Sequence, residues 1–321
     1  MKNLLLKTGK TLALPAIVYC LFLLMCFNRF SNWNCIYTIF VQSLIPTITA
    51  YAVAYGNIAG LFDFTIGARV VISALCGGLL SMKFGMPGLI LGAFGSALLL
   101  AFVTGILNNL LKIPSLVLTM GLTMIYEVLG AKLAGSYGYV QLDRAYTYLG
   151  SSPYIILLFL LSAAVFYFIL NNTKFSYNMR AVGSNEAVAR NAGIRVDGVK
   201  LKTFVYGGIF IGMASLLTIS QSGSVGAQTN LGSVSVVFKP LISILLALVL
   251  QRICDLTVGI FVAQFSLNII FIGLIALGMP DTAQNVFLGV FLLLVMIIFN
   301  NSERIRLYFQ RKKNHAKGVT A

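Results

Sequence analysis

Asn172–Lys202, NTKFSYNMRAVGSNEAVARNAGIRVDGVKLK, is the longest polar run between two hydrophobic blocks of the chain. It carries six basic residues, Lys174, Arg180, Arg190, Arg195, Lys200 and Lys202. Inside it, 182–194 (VGSNEAVARNAGI) reads as one short helix between glycines. Asn185 is its N-cap, Glu186 sits at the positive end of the helix dipole, and Arg190 lies near the negative end. Glu186 and Arg190 are also four apart in the favourable order, and Gly193 supplies the left-handed residue that ends the turn. Ala187, Val188, Ala189 and Ala192 give the helix a small-residue surface. At about 1.5 Å per residue it is ~12 Å long, a knob rather than a domain.

Around this knob the chain is written for lipid. Of its 321 residues, 59% are hydrophobic and 10% charged, with a mean hydropathy of +0.92. Soluble chains carry about 25% charged residues, so 1–321 reads as one all-α, polytopic transmembrane helix bundle. Runs long enough to cross a bilayer, about 17–25 residues, fall near 11–28, 36–59, 66–84, 87–111, 114–134, 153–171, 203–221, 256–278 and 281–300. A shorter run at 236–251, after Lys239 and Pro240, makes about ten spans. Pro46 lies inside its run and predicts a kink. Lys2, Lys7 and Lys10 ahead of apolar Leu12–Phe27 imitate a signal peptide, but no small-residue cleavage site follows, so this reads as a retained first helix.

Charge sets the orientation. With ten spans and the N-terminus inside, only Arg29, Lys83, Lys132, Arg144 and Lys239 of the 23 basic residues fall outside. The rest include the polar loop and the basic tail 301–321, so both termini and 172–202 are placed in the cytoplasm. The net charge of +15 is therefore a membrane-orientation signal. Because the basic residues sit at span ends and tails, not interleaved with aromatics, it implies no nucleic acid partner. The five cysteines show no metal-ligand spacing, and no disulfide framework is expected.

The chain echoes itself. Asp63-Phe64-Thr65-Ile66-Gly67 returns as Asp255-Leu256-Thr257-Val258-Gly259, and Gly85-Met86-Pro87 as Gly278-Met279-Pro280. Spans 2–4 thus resemble spans 8–10 in the same direction, a parallel repeat of the kind used by membrane transporters.

Asp63 and Asp255 admit two readings: a broken helix start lining a pathway, or an ordinary N-cap at the membrane surface. Asn108, Asn109, Ser115 and Thr119 place hydrogen-bonding groups near one inner turn, serving helix contacts or a polar pore. Glu127, midway along its span, costs ~2.5–3.5 kcal/mol or more to bury ionised, so it should face a partner helix or an aqueous cavity. The outer stretch Ser220–Ser235 reads as a gate, a receptor-docking surface or a solvated connector. Gly9-Lys10-Thr11 lacks the first glycine of a phosphate-binding loop, since position 4 is Leu4, and His315 is the only histidine. No nucleophile–base pair, metal cluster or cofactor motif appears, so enzyme chemistry is not expected. Any energy source would be another polypeptide.

The loop AVGSNEAVARNAGIRV resembles the cytoplasmic loop of permease subunits of ribose-type ABC sugar importers. It keeps Arg180, Gly183, Asn185, Glu186, Ala189, Arg190, Gly193 and Ile194 of that pattern, with Ser184 in place of a second glycine. Gly60–Gly67 and Lys112–Gly121 are similar to two further family stretches in the same order. The resemblance implies a bacterial inner-membrane subunit importing a monosaccharide delivered by an extracytoplasmic binding protein. A separate ABC ATPase would grip Arg180, Gly183, Asn185, Glu186, Ala189, Arg190 and Gly193, and a second permease copy or paralogue would complete the dimer. It also directs attention to Asp63, Thr65, Ser115 and Thr119 as pathway residues. Related permeases carry nucleosides, autoinducer-like furanoses and branched-chain amino acids, so the solute stays open. Residues 250–259 depart from the family's glycine-rich stretch. An ion-coupled secondary carrier and a non-transporting scaffold are the rival classes.

Overall fold

The computed structural model describes residues 2–251 and 254–300. The chain forms helices α1 (Lys2–Met25), α2 (Trp33–Ile58), α3 (Thr65–Leu111), α4 (Ser115–Ala134), α5 (Tyr154–Asn172), α6 (Lys174–Ser184) and α7 (Glu186–Asn191). There follow α8 (Val196–Ser222), α9 (Ser235–Leu250), α10 (Leu256–Ala276) and α11 (Asp281–Asn300). Two short strands, β1 (Tyr139–Gln141) and β2 (Ser224–Gly226), pair antiparallel. Among the described residues, seven helical stretches are long and apolar enough to cross a membrane, and 11–25 and 282–294 are shorter apolar helices. The architecture is a polytopic helical bundle. Arg252 and the basic tail 301–321, both used to orient the chain, lie outside the described residues. Helix α2 runs from Trp33 to Ile58 through Pro46.

Helix α3, 47 residues long, is two antiparallel arms. Gly85 breaks it with φ 63° and ψ −143°. A Cβ on Gly92 would lie 2.8 Å from both the Cys76 carbonyl oxygen and the Gly77 Cα, so the arms touch backbone to backbone. The separate runs at 66–84 and 87–111 are these arms, and Gly85-Met86-Pro87 is their turn. Its echo behaves alike: Gly278 is also left-handed, at φ 78°, between α10 and α11. Asp63 Oδ1 accepts from Thr65 N at 3.0 Å, and Asp255 Oδ1 from Thr257 N at 2.9 Å. The internal repeat is thus visible in its caps and its turns.

The densest packing is α3 against α8, through small residues. Gly208 lies against Ala97 and Ala101, and Gly105 against Leu201. Helices gain little hydrophobic drive from lipid, so such close approach supplies the contact energy instead. Tyr51, Tyr55, Phe166 and Phe210 cluster where α2, α5 and α8 meet, with Tyr51 and Phe166 stacked at 4.3 Å.

The connection from α8 to α9 departs from a purely solvated outer connector. After β2, residues 227–235 pass inward between α3 and α4. A Cβ on Gly67 would lie only 2.0 Å from the Ser233 carbonyl oxygen. Leu231 N and Ser233 N donate to the Glu127 carboxylate at 2.8 and 2.9 Å, and Ser233 Oγ donates at 2.6 Å. Glu127 precedes the end of α4 by seven residues, which places this contact ~10 Å inside it. The inset start also explains why α9 has only 16 residues.

Candidate functional site: the polar loop and the cavity beside it

The polar run folds as two helices, not one across 182–194. An N-cap residue has non-helical backbone, and Asn185, at φ −160° and ψ 110°, interrupts the chain between α6 and α7. Its side chain accepts from Val188 N at 3.1 Å, the expected cap. Gly193 takes φ 82° and ends the element as anticipated. Glu186 pairs with Arg190 at 3.3 Å and, from the following helix, with Lys200 at 2.8 Å. The Lys200 hydrogen bond, aided by Arg190, holds the Glu186 carboxyl below the ordinary carboxylate range.

These contacts fasten α7 to α8. Ala189 points inward at 2% exposure, packed with the core that includes Met179, Val182, Val196 and Val199. Val188 points outward at 62%. Behind α7, a Cβ on Gly183 would lie 1.9 Å from the Ile58 carbonyl oxygen, and left-handed Gly60 abuts Gly183. The end of α6 is therefore seated on the turn after α2.

That turn is in turn fixed to α4. Phe62 N donates to Ser115 Oγ at 3.2 Å, and Thr119 Oγ1 donates to Phe62 O at 3.2 Å. Next in sequence, Asp63 accepts from Thr65 Oγ1 at 2.5 Å and forms a buried ion pair with Arg69. Arg69 is 1% exposed, and its Nε and Nη1 find no hydrogen-bond partner among the described residues. Between the α2–α3 turn, the α3–α4 turn and the α6–α8 loop lies a cavity of about 890 Å³.

Of the residues singled out in the loop, Gly183, Asn185, Glu186 and Arg190 line this cavity. Arg180 reaches the Leu170 carbonyl at 3.5 Å, and Ala189 and Gly193 do not line it. Asp63 and Thr65 bond each other, and Ser115 and Thr119 both bond the backbone of Phe62, the residue before Asp63, so the four sit around one turn. Ser115 borders the cavity, whereas Thr65 and Thr119 are fully buried. Sequence reasoning treated Arg69 as an orientation charge and missed the ion pair. The Asp-x₅-Arg spacing, six residues along one helical start, was the available signal.

A family model described as the permease component of branched-chain amino acid transport systems matches residues 35–296. The chain belongs to that family. It is similar over 317 residues, at 27% identity, to the autoinducer 2 import system permease protein LsrC of Photorhabdus luminescens, covering 94% of this chain and 92% of the relative. LsrC of Photorhabdus laumondii is 29% identical over 78% of this chain and 73% of its own length. LsrC of Yersinia pseudotuberculosis is 29% identical over 56% of this chain and half of its own length. No solved structure matches. The resemblance to sugar-type ABC importer permeases stands. A permease of this family is a multi-pass transport subunit, not itself a catalyst.

Proposed function

We propose that this chain is the membrane-spanning subunit of an ATP-driven importer in a bacterial inner membrane. It crosses ten times, with α3 counted as two crossings, and both termini are cytoplasmic. The solute is a monosaccharide-like molecule of the ribose or autoinducer 2 kind, handed over by an extracytoplasmic binding protein. A separate ABC ATPase supplies the energy, and a second permease copy or paralogue completes the pathway.

The observation that carries this reading is the bracing of α7. A short exposed helix, tied to α8 by Glu186–Lys200 and preceded by an α6 end seated on the α2–α3 turn through Gly183, can carry a partner's motion into the bundle. Such coupling requires the nucleotide-bound ATPase to favour one bundle conformation over another. Val188, Glu186 and Arg190 present the contact face, while Ala189 keeps α7 docked. Of the residues assigned to the path, Asp63, Thr65, Ser115 and Thr119 form its inner collar, with Ser115 at the opening.

The test is reconstitution of the chain with its ATPase and binding protein, measuring uptake of labelled ribose and autoinducer 2. Uptake should require ATP, and Val188→Asp or Glu186→Pro should abolish it while the chain remains inserted. Uptake driven by an ion gradient without ATP, or ATP hydrolysis by this chain alone, would overturn the reading.

A further inference from the structure

The segment 228–235 poses a physical problem that Glu127 solves. Irregular backbone at membrane depth is tolerated only where its polar groups are satisfied inside the protein. Here two backbone N–H groups and one hydroxyl of the segment all converge on a single carboxylate, which is 4% exposed. Asn230 and Leu231 are both left-handed, at φ 57° and 62°, although neither is glycine. A bulky residue persists in that region only when its surroundings over-determine it. On the opposite wall, Gly67 has no room for even a methyl group against the Ser233 carbonyl. The segment is thus pinned from two helices, by a charge on α4 and by a missing side chain on α3. It also links β2 to α9, so its release would free the start of a spanning helix.

We infer that 228–235 is a movable gate and that Glu127 is the positioning residue that latches it shut. The inference deepens the transport reading, because a gate at the β-ribbon end is what a permease needs opposite its ATPase. Leaving the latch transfers Leu231 N, Ser233 N and Ser233 Oγ from Glu127 to other acceptors, with no covalent change.

The test uses the full chain with its native cysteines replaced, Val234→Cys introduced at a position only 7% exposed, and the partner ATPase co-expressed. Unsealed membranes are labelled with a charged maleimide, so the rate does not depend on orientation. Glu127→Ala should raise the labelling rate about tenfold, as expected when charge-assisted hydrogen bonds holding a locally opening segment are lost. Gly67→Ala should do the same from the other helix, Ser233→Ala should fall between, and Glu127→Gln should restore part of the protection. Val188→Cys, labelled in parallel, should keep its parental rate in every variant. Equal rates at position 234 in parent and Glu127→Ala would overturn the latch.

Trapping the complex with ATP and vanadate supplies the readout that a purely structural role would not move. The parent rate at position 234 should change on trapping, and the Glu127→Ala rate should not. A parent that responds together with a variant that responds equally rejects the latch. A parent that does not respond rejects the ATPase reading, while the rates without nucleotide still decide the latch.

Discussion

Asp63 and Arg69 form an ion pair that is nearly out of reach of solvent. Taking both charges out of water offsets most of their attraction, so the pair by itself adds little stability, but breaking it leaves one charge stranded. Arg69→Met should therefore destabilise the bundle by about 3–5 kcal/mol, whereas Asp63→Asn with Arg69→Met should recover most of that loss. Asn preserves the cap on Thr65, which isolates the charge effect. Thermal unfolding in detergent measures both, and additive losses would refute the coupling. Glu186 follows a different rule. Its folded pKa is lowered, so its contribution is present at neutral pH and fades as pH falls through and below the ordinary value of 4.5. The stability gap between the parent and Glu186→Gln should be small, because the pair is half exposed, and should vanish in acid. A gap that grows on acidification would contradict the assignment.

The paired arms of α3 show how an element is built by what is absent. Gly77, Gly88 and Gly92 let the arms approach until backbone meets backbone, and only Gly85 takes the left-handed turn between them. Gly92→Leu should force the arms apart and cost ~1–3 kcal/mol or more through overpacking. Gly95→Leu, three residues on, has nothing within 4 Å of its added Cβ and should be tolerated. Protease resistance of the inserted chain distinguishes the two, and equal sensitivity would reject the hairpin packing. Similarly, α7 needs Ala189 small because the side chain is enclosed. Ala189→Leu should undock α7 and lower ATPase stimulation together with stability, whereas Val188→Asp should lower stimulation alone.

Across the whole molecule, the polar loop and the β1–β2 ribbon lie at opposite ends of α8, which begins at Val196 and ends at Ser222. Twenty-seven residues of helix span about 40 Å, more than the hydrocarbon core of a bilayer. Cysteines at positions 188 and 139 should therefore be labelled from opposite sides of the membrane by an impermeant reagent, position 188 from the cytoplasm. Labelling of both from one side would remove the topology and, with it, the coupling role of α7.

Hydrophobic run length, the polar loop, the aspartate caps and the glycine turns are local properties. The sequence by itself therefore determined the helical membrane class, the repeat, and the residues, Asn185 and Gly193, that cap and terminate α7. Even the split at Asn185 was implicit there, since a cap lies outside the helix it starts. Contacts between distant residues were not legible. Glu127 meets Leu231 and Ser233 more than 100 positions away, and Gly183 meets Ile58 across a similar distance in the chain. Burial also depends on neighbours that no single helix contains, so Ala189 looked like contact surface and Arg69 like an orientation charge. Only the tertiary structure decided those roles, because a side chain's partner in a packed bundle is fixed by which helices stand beside it.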